Sequence, residues 1–361
     1  FEESVKRYSK NMLMWEKTSD KYEGTTYAQM QKLVHHFAAG LQAIGLNKGD
    51  RSALISEGRN DWVIVELGVL FCGAINVPIS VKVDEPNDLK FRLAHSGCKM
   101  VIVSKNHRAK IQAIKNDLPE LETIIILDEL DDLEKDEILK NEVMKRGAEY
   151  LRTHHKEFDE RWKSIKEKDY ANICYTSGTT ADPKGIILTH RNYTSNVEQS
   201  TALLPIPERY VSLLILPWDH AFAHTCGIYS LMKNGASMAA LKIGKTPIET
   251  LRNVPINIKE IKPSFLLSVP SLAKNFRKNI ENGIHDKGEK VEKLFISALK
   301  LAYDYNGLGI YRGKGLRKIK LPLYKLYDKL IFSKIRKGFG GRLEFFIGGG
   351  ALLDIELQRF F

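Results

Sequence analysis

The run YTSGTTADPKG, Tyr175 to Gly185, gathers residue types that hold phosphate oxygens. Its two glycines can take backbone conformations closed to other residues, and three threonines and one serine set hydroxyls beside accessible backbone N–H groups. Lys184 adds a point charge able to follow a polyphosphate. The order of residues excludes two familiar phosphate motifs. Walker A needs Gly before Lys-Ser/Thr, whereas Lys184 precedes Gly185 and Ile186, and the run is not G-x-G-x-x-G. Composition alone also allows a plain Ser/Thr/Gly-rich surface loop.

Such a loop needs a rigid frame, and the chain supplies one. Short β-branched runs (SALIS, INVPIS, MVIVS, TIIIL) alternate with helical patterns, and after a break ANICYTS, GIILTH, VSLLILP and SFLLSVP continue the rhythm. That alternation predicts an α/β fold whose parallel sheets are covered by helices. We expect two adjoining subdomains, 1–165 and 166–361. Trp62 to Ile79 approaches membrane-span length, but Glu66, Asn76 and Pro78 interrupt it. A buried helix capped by Asn60 or Asp61 and closed by Gly73, then a strand, explains it better. The charged stretch 128–168 reads as a solvated surface helix.

The 361 residues carry 43% hydrophobic and 27% charged residues, a soluble globular composition. Cys72, Cys98, Cys174 and Cys226 lie far apart without metal-ligand spacing, so reduced thiols of a cytoplasmic protein are expected rather than disulfides or zinc. The N-terminus lacks the order of a secretory signal. Between Lys300 and Arg342 twelve Lys/Arg stand against two acids, nearly the whole formal excess of +11. Within it Leu323, Leu326, Tyr327, Leu330, Ile331 and Ile335 repeat at helical spacing with Lys325, Lys329, Arg336 and Lys337 on other faces. This basic amphipathic helix reads as a solvated face or as a peripheral dock on an anionic membrane through 300–342; no recognition fold accompanies it to suggest nucleic acid.

YTSGTTADPKG followed by IILTHRNY resembles the phosphate-binding signature of the AMP-forming adenylating enzymes, the superfamily of acyl-CoA synthetases, luciferases and peptide-synthetase adenylation domains. Ala181 departs from it, where such families usually carry Gly. LPWDHAFAHTCGIY, Leu216 to Tyr229, resembles the second family motif, and FFIGGGALL, Phe346 to Leu353, resembles the Gly-Gly-Ala strand end. The stretch LYDKLIFSKIRKGFGGRLEFFIGGGALL looks like the long-chain fatty acid branch. The resemblance covers the whole chain but only the N-terminal portion of a family member. The Tyr-Gly-x-Thr-Glu segment, the ribose Asp and the mobile domain with its catalytic Lys are expected beyond it.

The resemblance implies a large N-terminal domain of an adenylating enzyme that uses ATP, Mg²⁺ and CoA. Thr176, Ser177, Gly178, Thr179, Thr180 and Lys184 would hold the phosphates, with Thr176 near Mg²⁺. Gly349, Gly350 and Ala351 would approach the nucleotide. His220, His224 and Gly349 would line the acyl pocket, Lys184 and His220 being the catalytic candidates. The implied reaction converts a long-chain fatty acid to an acyl-adenylate and then to a CoA thioester, the fragment alone being inactive. Transfer to an acyl carrier protein and a non-catalytic nucleotide- or lipid-binding fragment are the alternatives.

Overall fold

The structure is a computed structural model that describes residues 1–361 except 177–181, 308 and 310–312. In chain order the described strands are β1 Met12–Lys17, β2 Tyr22–Thr26, β3 Arg51–Ile55, β4 Ile75–Pro78, β5 Cys98–Val103, β6 Thr123–Ile126, β7 Glu137–Leu139, β8 Tyr170–Thr176, β9 Lys184–Thr189, β10 Val211–Leu214, β11 Ser237–Ala240, β12 Phe265–Ser268 and β13 Phe345–Gly348. They fall into two compact units. The first comprises Phe1–Arg209 with Pro217–Ile243, the second Tyr210–Leu216 with Gly244–Phe361. Residue 165 lies inside the first unit, just ahead of β8.

In the first unit a seven-stranded sheet runs β7-β6-β5-β3-β4-β8-β9. Every neighbour pair is parallel except β8 and β9, which form an antiparallel hairpin. The β-branched runs are buried on both faces, as a helix-covered parallel sheet requires. Ala53, Ile55, Val77, Ile79, Val101, Val103, Ile124 and Ile126 share a cluster with Leu89, Leu93 and Ile111, while Leu54, Ile102 and Ile125 between them are equally buried. β1 pairs antiparallel with β2 and parallel with β11, strands that the alternation of apolar runs does not mark.

The apolar run 62–79 is a buried helix, Asn60–Phe71, followed by β4, as expected. Its start differs from expectation, because Arg59 rather than Asn60 or Asp61 occupies the cap position and offers no side-chain cap bond. The Asn60 N–H donates instead to Glu16 Oε2 at 2.9 Å, and Asp61 pairs with Arg59 and Lys140. Among the described residues no helix is long and apolar enough to cross a membrane.

The stretch 128–168 also departs from a wholly solvated helix. It contributes β7, and its Lys140–Lys163 helix buries Val143, Gly147 and Phe158. A Cβ at Gly147 would lie 1.8 Å from the His36 carbonyl oxygen, and one at Gly40 would lie 2.0 Å from that of Val143. The helix therefore packs backbone to backbone against Tyr27–Ala43, whose start is fixed by a reciprocal Thr26/Gln29 cap.

In the second unit β10, β12 and β13 are parallel, with Phe265 to Ser268 opposite Phe345 to Gly348. The helices Pro247–Ile261, Pro270–His285 and Glu289–Asn306 belong to this unit. The basic segment forms the expected helical run: Leu321–Tyr327, a wider π-helical turn Asp328–Phe332, then Ser333–Gly338. It buries Ile331 beside Ile284, Phe295 and Ala298.

Candidate functional site

The β8–β9 hairpin brackets the Ser/Thr/Gly loop. Thr176 ends one leg, Lys184 begins the other, and the two are directly paired. Ser177, Gly178, Thr179 and Thr180, expected to hold phosphate, lie outside the described residues, as does Ala181. Both bracketing residues are exposed, and Lys184 has no ion-pair partner among the described residues.

The legs are held by contacts that the sequence reading did not foresee. Tyr175 Oη donates to the Arg92 carbonyl at 3.1 Å and contacts His95 Nδ1 at 2.8 Å, while the Arg92 guanidinium lies 5.4 Å from the ring centroid. Gly185 sits where a Cβ would meet Ile173 at 3.0 Å. After β9, Thr189 and Asn192 cap the His190–Leu203 helix reciprocally. Where its two legs end, the hairpin thus presents an unneutralised ammonium and a hydroxyl, donor chemistry that suits an anionic phosphate.

His220 follows Trp218, which is buried against Trp62, the rings 5.7 Å apart. The His220 ring is exposed, and its Nδ1 accepts the Phe222 N–H at 3.2 Å. Burial pushes the neighbouring Asp219 carboxyl above its usual range. His224 lies a turn further on, at the start of the π-helical segment Ala223–Tyr229, and is wholly buried. Trp62, Tyr193 and Tyr229 surround its ring at 4.9, 5.8 and 5.7 Å.

The His224 partner is the equally buried Glu66, whose Oε2 stands 3.7 Å from Nε2, an ion-pair rather than a hydrogen-bond separation. Asn76, Asn172 and Tyr229 donate to the same carboxylate. Burial alone would raise the Glu66 pKa, but the His224 charge and these donors hold it below the usual carboxylate range. Burial likewise opposes a charged His224, yet Glu66 outweighs it and raises the imidazole to about 9. Glu66 and Asn76, the polar residues interrupting the apolar run Trp62 to Ile79, were the local sequence signal for this network.

Gly349, Gly350 and Ala351 follow β13 in the second unit. The Gly349 N–H donates to the Ser268 carbonyl at 3.1 Å, and Gly350 has φ +79°, a conformation that favours glycine. A Cβ at Gly350 would have room, its nearest neighbour being Val269 Cγ1 at 3.6 Å, so backbone conformation is the constraint. Ala351 is exposed.

No group of three or more His, Cys, Asp or Glu among the described residues could cage a metal ion. Mg²⁺ normally takes one or two protein oxygens and completes its shell with phosphate and water. The exposed Thr176 hydroxyl is compatible with that mode. All four cysteines are free, three of them buried.

The profile of the AMP-binding enzyme family matches residues 1–361. The chain is 25% identical to long chain acyl-CoA synthetase 8 of Arabidopsis thaliana over 100% of its own length and 52% of that protein. It is 27% identical to long-chain-fatty-acid–CoA ligase 5 of Rattus norvegicus over 97% and 50%. It thus spans about half the length of the curated relatives it matches. The solved N-terminal domain of FACL13 from Mycobacterium tuberculosis superposes with a TM-score of 0.67 at 22% identity, covering 99% of this chain and 71% of that one. The long-chain-fatty-acid-CoA ligase FadD1 from Archaeoglobus fulgidus gives 0.64 at 18%, covering 78% and 52%.

Proposed function

The chain belongs to the AMP-binding enzyme family, and on that premise we propose that it is the nucleotide-binding portion of an ATP-dependent long-chain fatty acid:CoA ligase. The observation that carries the reading is the β8–β9 hairpin, which pairs Thr176 with an exposed, unneutralised Lys184 around the run TSGTTADPK. The relatives named as long-chain acyl-CoA synthetases support the acyl substrate.

In this reaction the fatty carboxylate attacks the α-phosphorus of ATP, and pyrophosphate departs. The CoA thiol then attacks the acyl carbonyl, and AMP departs. Hairpin donors and the Lys184 ammonium spread the charge of the departing pyrophosphate. Mg²⁺ neutralises phosphate charge when bound, and Thr176 is the residue here that would reach it. His220, exposed and oriented through Nδ1 by the Phe222 N–H, would face the reacting carboxylate. Gly349, Gly350 and Ala351 would let backbone approach the adenylate. His224, wholly buried beside Glu66, would support the acyl side from behind rather than touch the substrate. Exposed Lys325, Lys329 and Lys337 are the charges available to an anionic membrane surface, because Arg336 is tied to Asp328.

The test compares this chain, and the chain extended to the length of its relatives, with ATP, Mg²⁺, palmitate and CoA, following AMP and acyl-CoA. Turnover is expected only from the extended protein, since losing even one preorganised donor typically costs about 10²- to 10³-fold. Lys184→Ala should lower its pyrophosphate release at limiting ATP while leaving fatty acid binding intact. Unchanged kinetics would remove Lys184 from the site.

A further inference from the structure

The second unit contains an open groove of about 820 Å³ between the Pro247–Ile261, Pro270–His285 and Leu321–Gly338 helical segments. None of the residues proposed for the nucleotide or acyl site lines it. Its walls are apolar, with Leu251, Ile258, Phe276, Ile280, Ile331 and Ile335 among them. Lys259, Lys278, Lys287 and Lys334 also line it, and no carboxylate does. All four lysines are exposed and lack an ion-pair partner among the described residues. Four nearby acids are already engaged, Glu281 by Arg277, Glu292 by His285, Glu289 by Lys293 and Asp328 by Arg336.

Two glycines strengthen the case. Gly283, inside the Pro270–His285 helix, and Gly338, at the end of Ser333–Gly338, both line the groove. Neither has positive φ, and a Cβ built on either meets nothing within 4 Å. Glycine weakens a helix, yet no packing or backbone demand among the described residues calls for it here. Both positions widen the groove.

We propose that this groove binds a free long-chain carboxylate, its acyl chain lying on the apolar walls and its headgroup among the four lysines. The identity of the ligand rests on the fatty acid reading above; the site does not depend on any residue of that reading. The volume suits such a molecule, since small-molecule sites span roughly 300–1,000 Å³. A stable protein partner would need a larger surface, roughly 800 Å² on each side. Charge complementarity separates the carboxylate from neutral chains, because lysines facing an apolar wall without acids favour an anion at its edge.

The test titrates the 361-residue chain with parinarate, a fluorescent 18-carbon polyene carboxylate, below its micellar concentration and without ATP or CoA. Saturable binding is expected. Gly283→Leu, which favours the helix and fills the groove, should weaken binding at least tenfold without lowering the melting temperature. Lys278→Glu with Lys334→Glu should weaken it at least tenfold at low salt, while binding of parinaryl alcohol stays unchanged. Full parinarate affinity in Gly283→Leu would place the chain elsewhere and overturn the proposal. So would absence of binding together with a dimer that Lys278→Glu dissolves, which would give the groove to a second copy. Parinarate binding that responds to these substitutions in a protein unable to form acyl-adenylate would sustain the groove while removing the catalytic reading.

Discussion

The Asn60–Phe71 helix of the first unit and the Leu321–Gly338 helical run of the second both combine apolar surface with charge, and they treat that charge in opposite ways. In the first, Glu66 is wholly buried and meets His224, Tyr229, Asn76 and Asn172, while Asp61 is clasped by Arg59 and Lys140. In the second, Lys325, Lys329, Lys334 and Lys337 stand in solvent without ion-pair partners among the described residues. Burial makes an unpaired charge costly, so the first helix has spent its charges on its own fold. Solvent makes an unpaired charge cheap, so the second leaves its four lysines unpaired at little cost. Stability should respond sharply to charge changes in the first region and barely in the second.

The largest test removes Glu66. Glu66→Ala leaves His224 buried without its counter-charge, and breaking a buried pair from one side costs about 3–5 kcal/mol. Urea unfolding would read that loss, and a cost below about 1 kcal/mol would mean that the pair contributes little. The pH dependence sharpens the assignment. The folded His224 pKa of about 9 lies above the ordinary imidazole value of 6.5, so its contribution is complete below about 6.5 and disappears as pH rises through about 9. Glu66 is shifted down, so its contribution is present above the usual carboxylate range and is lost on acidification. The melting temperature of the wild type should therefore fall more between pH 7 and 10 than that of Glu66→Gln.

The next effect is steric. In Gly147→Val the new side chain must enter a space where even a Cβ would lie 1.8 Å from the His36 carbonyl oxygen and 2.5 Å from the Gly40 nitrogen. Those are backbone atoms and cannot swing aside, so the Lys140–Lys163 and Tyr27–Ala43 helices must part. Overpacking of this kind costs typically about 1–3 kcal/mol, readable as a lowered melting temperature. A neutral result would show that the two helices already have slack.

Gly147 also shows where sequence reasoning stops. β3, β5 and β6 were legible because each is a short apolar run bounded by turn residues, and the loop between β8 and β9 because its residue types are dense and local, although the antiparallel pairing of those two strands was not. β1, MLMWEK, was not, since Met, Leu, Glu and Lys suit a helix and only pairing with β2 and the distant β11 makes it a strand. Gly147 sits in a heavily charged stretch whose composition says solvent, and its role depends on a helix about a hundred residues earlier in the chain. Glu66 was visible as an anomaly in an apolar run. Its distant partners were not, because Asn172 and Tyr229 lie 106 and 163 residues away.

The smallest effect divides two neighbours in the exposed run. Arg336 makes two hydrogen bonds of 2.7 Å to Asp328, one to each carboxylate oxygen, whereas Lys337 has no such partner among the described residues. The Arg336 side chain is 53% exposed, so solvent screens the pair and limits it to the range of surface salt bridges, about 0.2–1 kcal/mol. The paired, two-pronged geometry places it toward the upper part of that range. Arg336→Gln should thus produce a small measurable drop in urea stability, and Lys337→Gln should stay within about 0.5 kcal/mol of the wild type. Raising the salt concentration should shrink the Arg336 effect further. If Lys337→Gln instead cost as much as Arg336→Gln, the lysines of this run would be engaged in holding the fold, and the contrast between buried, committed charge and exposed, available charge would collapse.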